Sequence, residues 1–96
     1  MKDVLSFDDV LLVPKLSDIE SRSVIDIGND LSDQILLSLP VISSPMDTVT
    51  EVDMAIAMSR AGGIGIIHRY NSISEQVELA LGATSGGARN VGAAIG

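Results

Sequence analysis

The stretch LPVISSPMDTVTEVDMAIAMSRAGGIGIIHRYN, Leu39 to Asn71, decides the fold. It opens on a short apolar run, Leu39-Pro40-Val41-Ile42-Ser43, with its proline near the start, where a buried strand tolerates one. Thr48-Val49-Thr50-Glu51 has the S/T-x-x-E form of a capping box, which predicts a helix beginning there. Val52, Ala55, Ile56 and Ser59 share one face of that helix, with Met54, Met58 and Ala61 beside it, and both methionines read as core. Gly62-Gly63 supplies a left-handed stop, and Ile64-Gly65-Ile66-Ile67 follows as a second buried strand.

Downstream the pattern repeats. Ser72-Ile73-Ser74-Glu75 is another capping box, opening a helix predicted to turn Ile73, Val77, Ala80 and Leu81 inward and to end at Gly82. Asn90-Val91-Gly92-Ala93-Ala94-Ile95-Gly96 reads as a third strand. Apolar strands alternating with amphipathic helices, β-α-β-α-β, mean a parallel sheet covered by helices on at least one face. Three strands neither close a barrel nor fill an open doubly wound sheet. The last strand has no helix to cover it, and a bare parallel edge is a liability, so the expectation is a cut piece of something larger. Ala83-Thr84-Ser85-Gly86-Gly87-Ala88 is small and flexible in composition, and reads either as an ordinary loop or as a linker where something larger was removed or never inserted.

Upstream, residues 1–38 read as an irregular arm with short strands at Val10-Leu11-Leu12-Val13 and Val24-Ile25-Asp26-Ile27, punctuated by Pro14 and Gly28-Asn29. Eight of the thirteen acids (Asp3, Asp8, Asp9, Asp18, Glu20, Asp26, Asp30 and Asp33) lie in this arm, as a solvated surface would.

Composition narrows the function. Of 96 residues 46% are hydrophobic, which suits a buried core and not a disordered tail. A net charge of −7 argues against a nucleic-acid groove or a polybasic membrane patch. No apolar run approaches a membrane span and no signal peptide opens the chain, so the expected setting is soluble and cytoplasmic. Absence of cysteine removes disulfides, thiolate metal sites and cysteine nucleophiles together.

Ligands of parallel β/α units bind beyond the carboxyl ends of the strands. Here those ends are Ser43-Ser44-Pro45-Met46-Asp47-Thr48 and His68-Arg69-Tyr70-Asn71. The first suits a loop in which Met46 packs on a flat ring while Ser44 and nearby backbone N–H groups bind polar atoms or phosphate. Ser43, Asp47 and Thr48 read equally as plain turn and cap residues. His68, the only histidine, reads as a hydrogen-bonded structural residue; with no second histidine and no cysteine it makes no metal site. Gly62-Gly63-Ile64-Gly65 is not a dinucleotide-binding fingerprint.

Several segments together resemble a known family. They are Ser6 to Pro14 (SFDDVLLVP), Ser43 to Glu51 (SSPMDTVTE), Met54 to Met58, Gly62 to His68 (GGIGIIH) and Val91 to Gly96 (VGAAIG). In this order they are similar to the N-terminal part of the inosine-5′-monophosphate (IMP) dehydrogenase family. The resemblance implies a TIM (β/α)8 barrel of which this chain supplies the arm and the first three strands. It implies oxidation of IMP to xanthosine monophosphate (XMP) with NAD through a covalent cysteine adduct, a potassium ion and a homotetramer. The catalytic residues and the potassium site would fall outside this chain. Residue by residue, it implies that Ser44 and Met46 touch the base and ribose of IMP, that Asp47 shapes their loop, and that Val13 and Pro14 reach the cofactor's adenosine end in a neighbouring subunit. The family's His-Lys-Asn is here His68-Arg69-Tyr70-Asn71, and its paired CBS domains are replaced by residues 83–88. That replacement fits a deletion or the sister enzyme GMP reductase, which lacks those domains and which Ser21-Arg22-Ser23 also resembles; Thr50-Glu51 fits the dehydrogenase better. The competing class is a non-catalytic barrel fragment that needs a companion chain. Without cysteine, the 96-residue chain alone is expected to be inactive.

Overall fold

The computed structural model describes residues 3–96; of the expected arm 1–38, residues 1 and 2 lie outside the described residues. The arm carries two single 3-10 turns, Phe7–Asp9 and Arg22–Val24, and then an antiparallel hairpin of β1 (Asn29–Ser32) and β2 (Ile35–Leu37). The strands expected at Val10–Val13 and Val24–Ile27 do not form. Phe7, Leu11, Leu12 and Leu16 are almost wholly exposed, so these apolar side chains have no surface to pack on and no paired strand to hold them extended.

The second unit is a three-stranded parallel sheet in the order β3 (Ile42–Ser43), β4 (Ile64–Ile67), β5 (Val91–Ala93). Ile42 pairs with Ile64 and Ser43 with Gly65; Gly65, Ile66 and Ile67 pair in turn with Val91, Gly92 and Ala93. Between the strands run α1 (Val52–Ala61) and α2 (Ile73–Ser85), which pack against the sheet and each other. This is the β-α-β-α-β order read from the sequence, with shorter outer strands. β4 is central and paired on both sides, which is why its residues form an unbroken apolar run.

The core is small. Ala55 of α1, Ile67 of β4, Ala83 of α2 and Ala88 form one buried cluster, flanked by Ile56, Leu79 and Val91. Small residues let α1 approach β4 closely: a Cβ on Gly65 would lie 2.9 Å from the Ala55 Cα. Gly62 ends α1 at φ 100°, and its N–H reaches the carbonyls of Met58 and Ser59.

Four expectations are corrected. Residues 48–51 do not form a capping box on α1: the helix starts only at Val52 with Glu51 as its N-cap, and the Glu51 carboxylate is engaged by His68 rather than by the helix end. Met54 is partly exposed, and only Met58 is half-buried. The stripe Ile73, Val77 and Leu81 faces away from the sheet, 87%, 51% and 60% exposed; α2 meets the core through Leu79 and Ala83 instead. Finally, α2 runs past Gly82 to Ser85, and Ala83 and Ala88 are buried, so residues 83–88 are a helix end and a tight turn rather than a flexible linker.

Candidate functional site

The carboxyl ends of the three parallel strands lie side by side, and a rim of polar side chains ties them together. After β3, Ser44, Pro45, Met46 and Asp47 are exposed, with Met46 at 51%. The N–H groups of Val49 and Thr50 both donate to the Met46 carbonyl at 2.9 Å, closing a turn that leads into α1. The Thr50 hydroxyl is buried and lies 2.8 Å from Ser43 Oγ and 2.7 Å from the Ser44 carbonyl oxygen.

His68 follows β4 and is 2% exposed. Its Nδ1 accepts the Tyr70 N–H at 3.2 Å, so a neutral ring carries its proton on Nε2, which lies 2.8 Å from Glu51 Oε1. Both ring nitrogens are thereby satisfied, as the structural reading of His68 requires. Glu51 keeps one carboxylate oxygen toward solvent, its side chain being 52% exposed. The rim continues through Asn71, whose amide donates to the His68 carbonyl at 3.0 Å and to Gln76 Oε1 at 2.7 Å. Gln76 Nε2 in turn donates to the Ala94 carbonyl beyond β5 at 3.1 Å.

Two concavities flank this rim. One of about 600 Å³ is lined by Asp47, Thr48, Glu51, Met54 and Ala57, and the other, of about 390 Å³, by Arg69, Asn71, Gln76, Ala94 and Gly96 among others. Asp47, Glu51 and Asp53 make the first acidic, whereas Arg69 is the cation of the second. Among the described residues no three His, Asp or Glu side chains converge as a metal site needs.

The structure therefore gathers Ser44, Met46 and Asp47 on one exposed loop. Val13 and Pro14 lie in the exposed part of the arm, outside any helix or strand. Sequence reading missed the tertiary roles of Thr50, Glu51 and Gln76. The available signal was a pair of polar residues, Thr50-Glu51, one strand away from a lone histidine that needs a partner.

A parallel sheet with intervening helices and a polar rim at its strand ends defines the class, an N-terminal part of a (β/α)8 barrel. The fold matches GMP reductase C318A from Trypanosoma brucei at a TM-score of 0.76 and 46% identity, covering 82% of this chain and 18% of that one. A family model described as IMP dehydrogenase / GMP reductase domain matches residues 4–81. Over 80 residues the chain is 59% identical to inosine-5′-monophosphate dehydrogenase of Nitrosopumilus maritimus, covering 83% of this chain and 17% of that protein. Over 77 residues it is 53% identical to the enzyme of the same name from Staphylococcus aureus, covering 80% and 16%. The chain belongs to the IMP dehydrogenase/GMP reductase family, and it spans about a sixth of the length of these curated relatives.

Proposed function

We propose that this chain supplies the arm and the first three strands of an IMP dehydrogenase barrel, with a boundary at residues 38/39 and residues 83–88 standing where other members carry inserted domains. The observation that carries the reading is the exposed Ser44–Asp47 loop at the carboxyl end of a parallel strand, in a chain 59% identical to a protein of that name. In this reading Met46 offers a soft apolar face to the purine ring, Ser44 hydrogen-bonds the base and ribose region, and Asp47 holds the loop's shape. NAD would accept the hydride removed from IMP. Val13 and Pro14 are proposed to meet its adenosine end only as a wall supplied to a neighbouring subunit of a homotetramer. Potassium and the cysteine nucleophile would come from the remaining barrel.

The chain alone has no cysteine, so it is expected to give no IMP-dependent NADH; any turnover by the pure 96-residue chain overturns this. With the remaining strands supplied, NADH formation from IMP and NAD at 340 nm supports the reading. The likeness to the trypanosomal GMP reductase favours a second reading, which the same assay separates. Consumption of NADPH with GMP, and no NADH from IMP, would assign the reductase. Failure of both would leave a non-catalytic fragment.

A further inference from the structure

The Thr50 hydroxyl is fully buried and is aimed at the candidate loop. The Thr50 O–H donates to the Ser44 carbonyl at 2.7 Å, the shorter of its two contacts. The same hydroxyl also donates toward Ser43 Oγ at 2.8 Å, so the one proton it carries is shared between the strand end and the loop. The Thr50 N–H also donates to the Met46 carbonyl at 2.9 Å. Among the described residues, Thr50 is the only side chain that hydrogen-bonds any part of Ser44–Asp47.

Both flanks of this shared hydrogen bond are anchored. Ser43 is paired with Gly65 in the sheet, and Glu51 is held by the buried His68. The Thr50 methyl is wedged at Gly65, where a Cβ would come within 3.2 Å of it. The loop itself is exposed; inside it the Met46 N–H donates to the same Ser44 carbonyl at 2.8 Å, and the Thr50 hydroxyl is the side-chain tie that joins this carbonyl to the anchored flank.

We infer that Thr50 is a positioning residue for nucleotide binding: its hydroxyl sets the direction of the Ser44 carbonyl and so presents Ser44 and Met46 to one ligand together. The inference rests on the proposed reading of Ser44–Asp47 as the IMP loop.

The test compares Thr50→Val, which keeps the shape and removes the donor, with Thr50→Ser, which keeps the hydroxyl. Each is made in the full 96-residue chain and read by amide NMR and by IMP titration. In Thr50→Val, hydrogen exchange at the Met46 and Thr50 amides should accelerate about ten-fold, the scale of one lost hydrogen bond, while Ile67 and Ala83 stay protected. The IMP dissociation constant should rise by a similar factor of about ten. Thr50→Ser should restore both. Unchanged loop amides in Thr50→Val, or equal disturbance by Thr50→Ser, overturn the inference. If Thr50→Val fails to fold, Ser43→Ala decides through the same amides: it leaves the Thr50 proton to the Ser44 carbonyl alone, so slower exchange supports the inference and unchanged or faster exchange overturns it. If the unmodified chain binds no IMP, the titration is made with the remaining strands supplied, where the functional reading stands or falls, and the amide exchange still decides whether Thr50 orders the loop.

Discussion

Glu51 connects two levels of organisation within one side chain. By sequence it belongs to a capping box, but in the fold its carboxylate takes the Nε2–H of a buried histidine seventeen residues away. A buried N–H without a partner costs more than an exposed helix end solvated by water, so the tertiary bond wins. Glu51→Ala should therefore lower stability by about 1 kcal/mol, discounted because Glu51 is half exposed, while Glu51→Gln keeps an acceptor and loses less. Urea denaturation of the two variants checks this, and equal losses would remove the hydrogen bond from the account. At Gly65 the neighbour is backbone, the Ala55 Cα, which cannot swing aside. Gly65→Ala should cost about 1–3 kcal/mol by overpacking, again read by urea midpoint.

The helices differ in how they start, and the difference predicts how each responds to pH. α2 has the reciprocal capping box read from its sequence: Ser72 Oγ accepts the Glu75 N–H, and Glu75 accepts the Ser72 N–H, both at 3.2 Å. Hydrogen bonding from the Ser72 side chain, and then from its backbone N–H, holds the Glu75 carboxyl below its ordinary pKa. A carboxyl depressed in the folded state stabilises fully above its unfolded pKa, and that contribution is lost as pH falls through the folded value. Helical ellipticity should therefore weaken on acidification in the parent and less so in Glu75→Gln; an identical acid response in both would refute the link. Ser72→Ala should lower stability by about 1 kcal/mol at neutral pH, measured by thermal melting. α1 has no such box, and its stability comes from Ala55 and Ile56 packing at the core.

At the scale of the whole molecule, too little apolar surface is buried for the chain's size. Its accessible surface is 7980 Å², against roughly 5,200 Å² for a compact monomer of this mass. Its radius of gyration is 17.1 Å, against roughly 12–13 Å for a compact chain of this length. The arm and the outer stripe of α2 account for much of the excess. Ile67 is the largest apolar side chain fully withdrawn from water, so Ile67→Ala should cost about 2–5 kcal/mol. A core this small has little reserve against such a loss, and the variant should lose its cooperative unfolding transition by circular dichroism. The parent should also bind a hydrophobic dye strongly, and supplying the remaining barrel should abolish most of that fluorescence; persistent fluorescence would mean that these faces are not covered in the assembled barrel.

Sequence alone determined the order β-α-β-α-β, the central strand Ile64–Ile67, the stop at Gly62 and the cap at Ser72. These depend on neighbours three or four residues apart, or on an apolar run too continuous to face water. The resemblance drawn from its motifs also reached the family before any coordinate did. Only the tertiary structure decided which face of α2 meets the sheet, because Ile73, Val77 and Leu81 form as good an apolar stripe as the smaller residues that pack there. It alone decided that Glu51 serves the histidine instead of the helix, and that Thr50 serves the loop. A side chain with two possible partners is assigned by which one is buried, and burial is a property of the assembled fold.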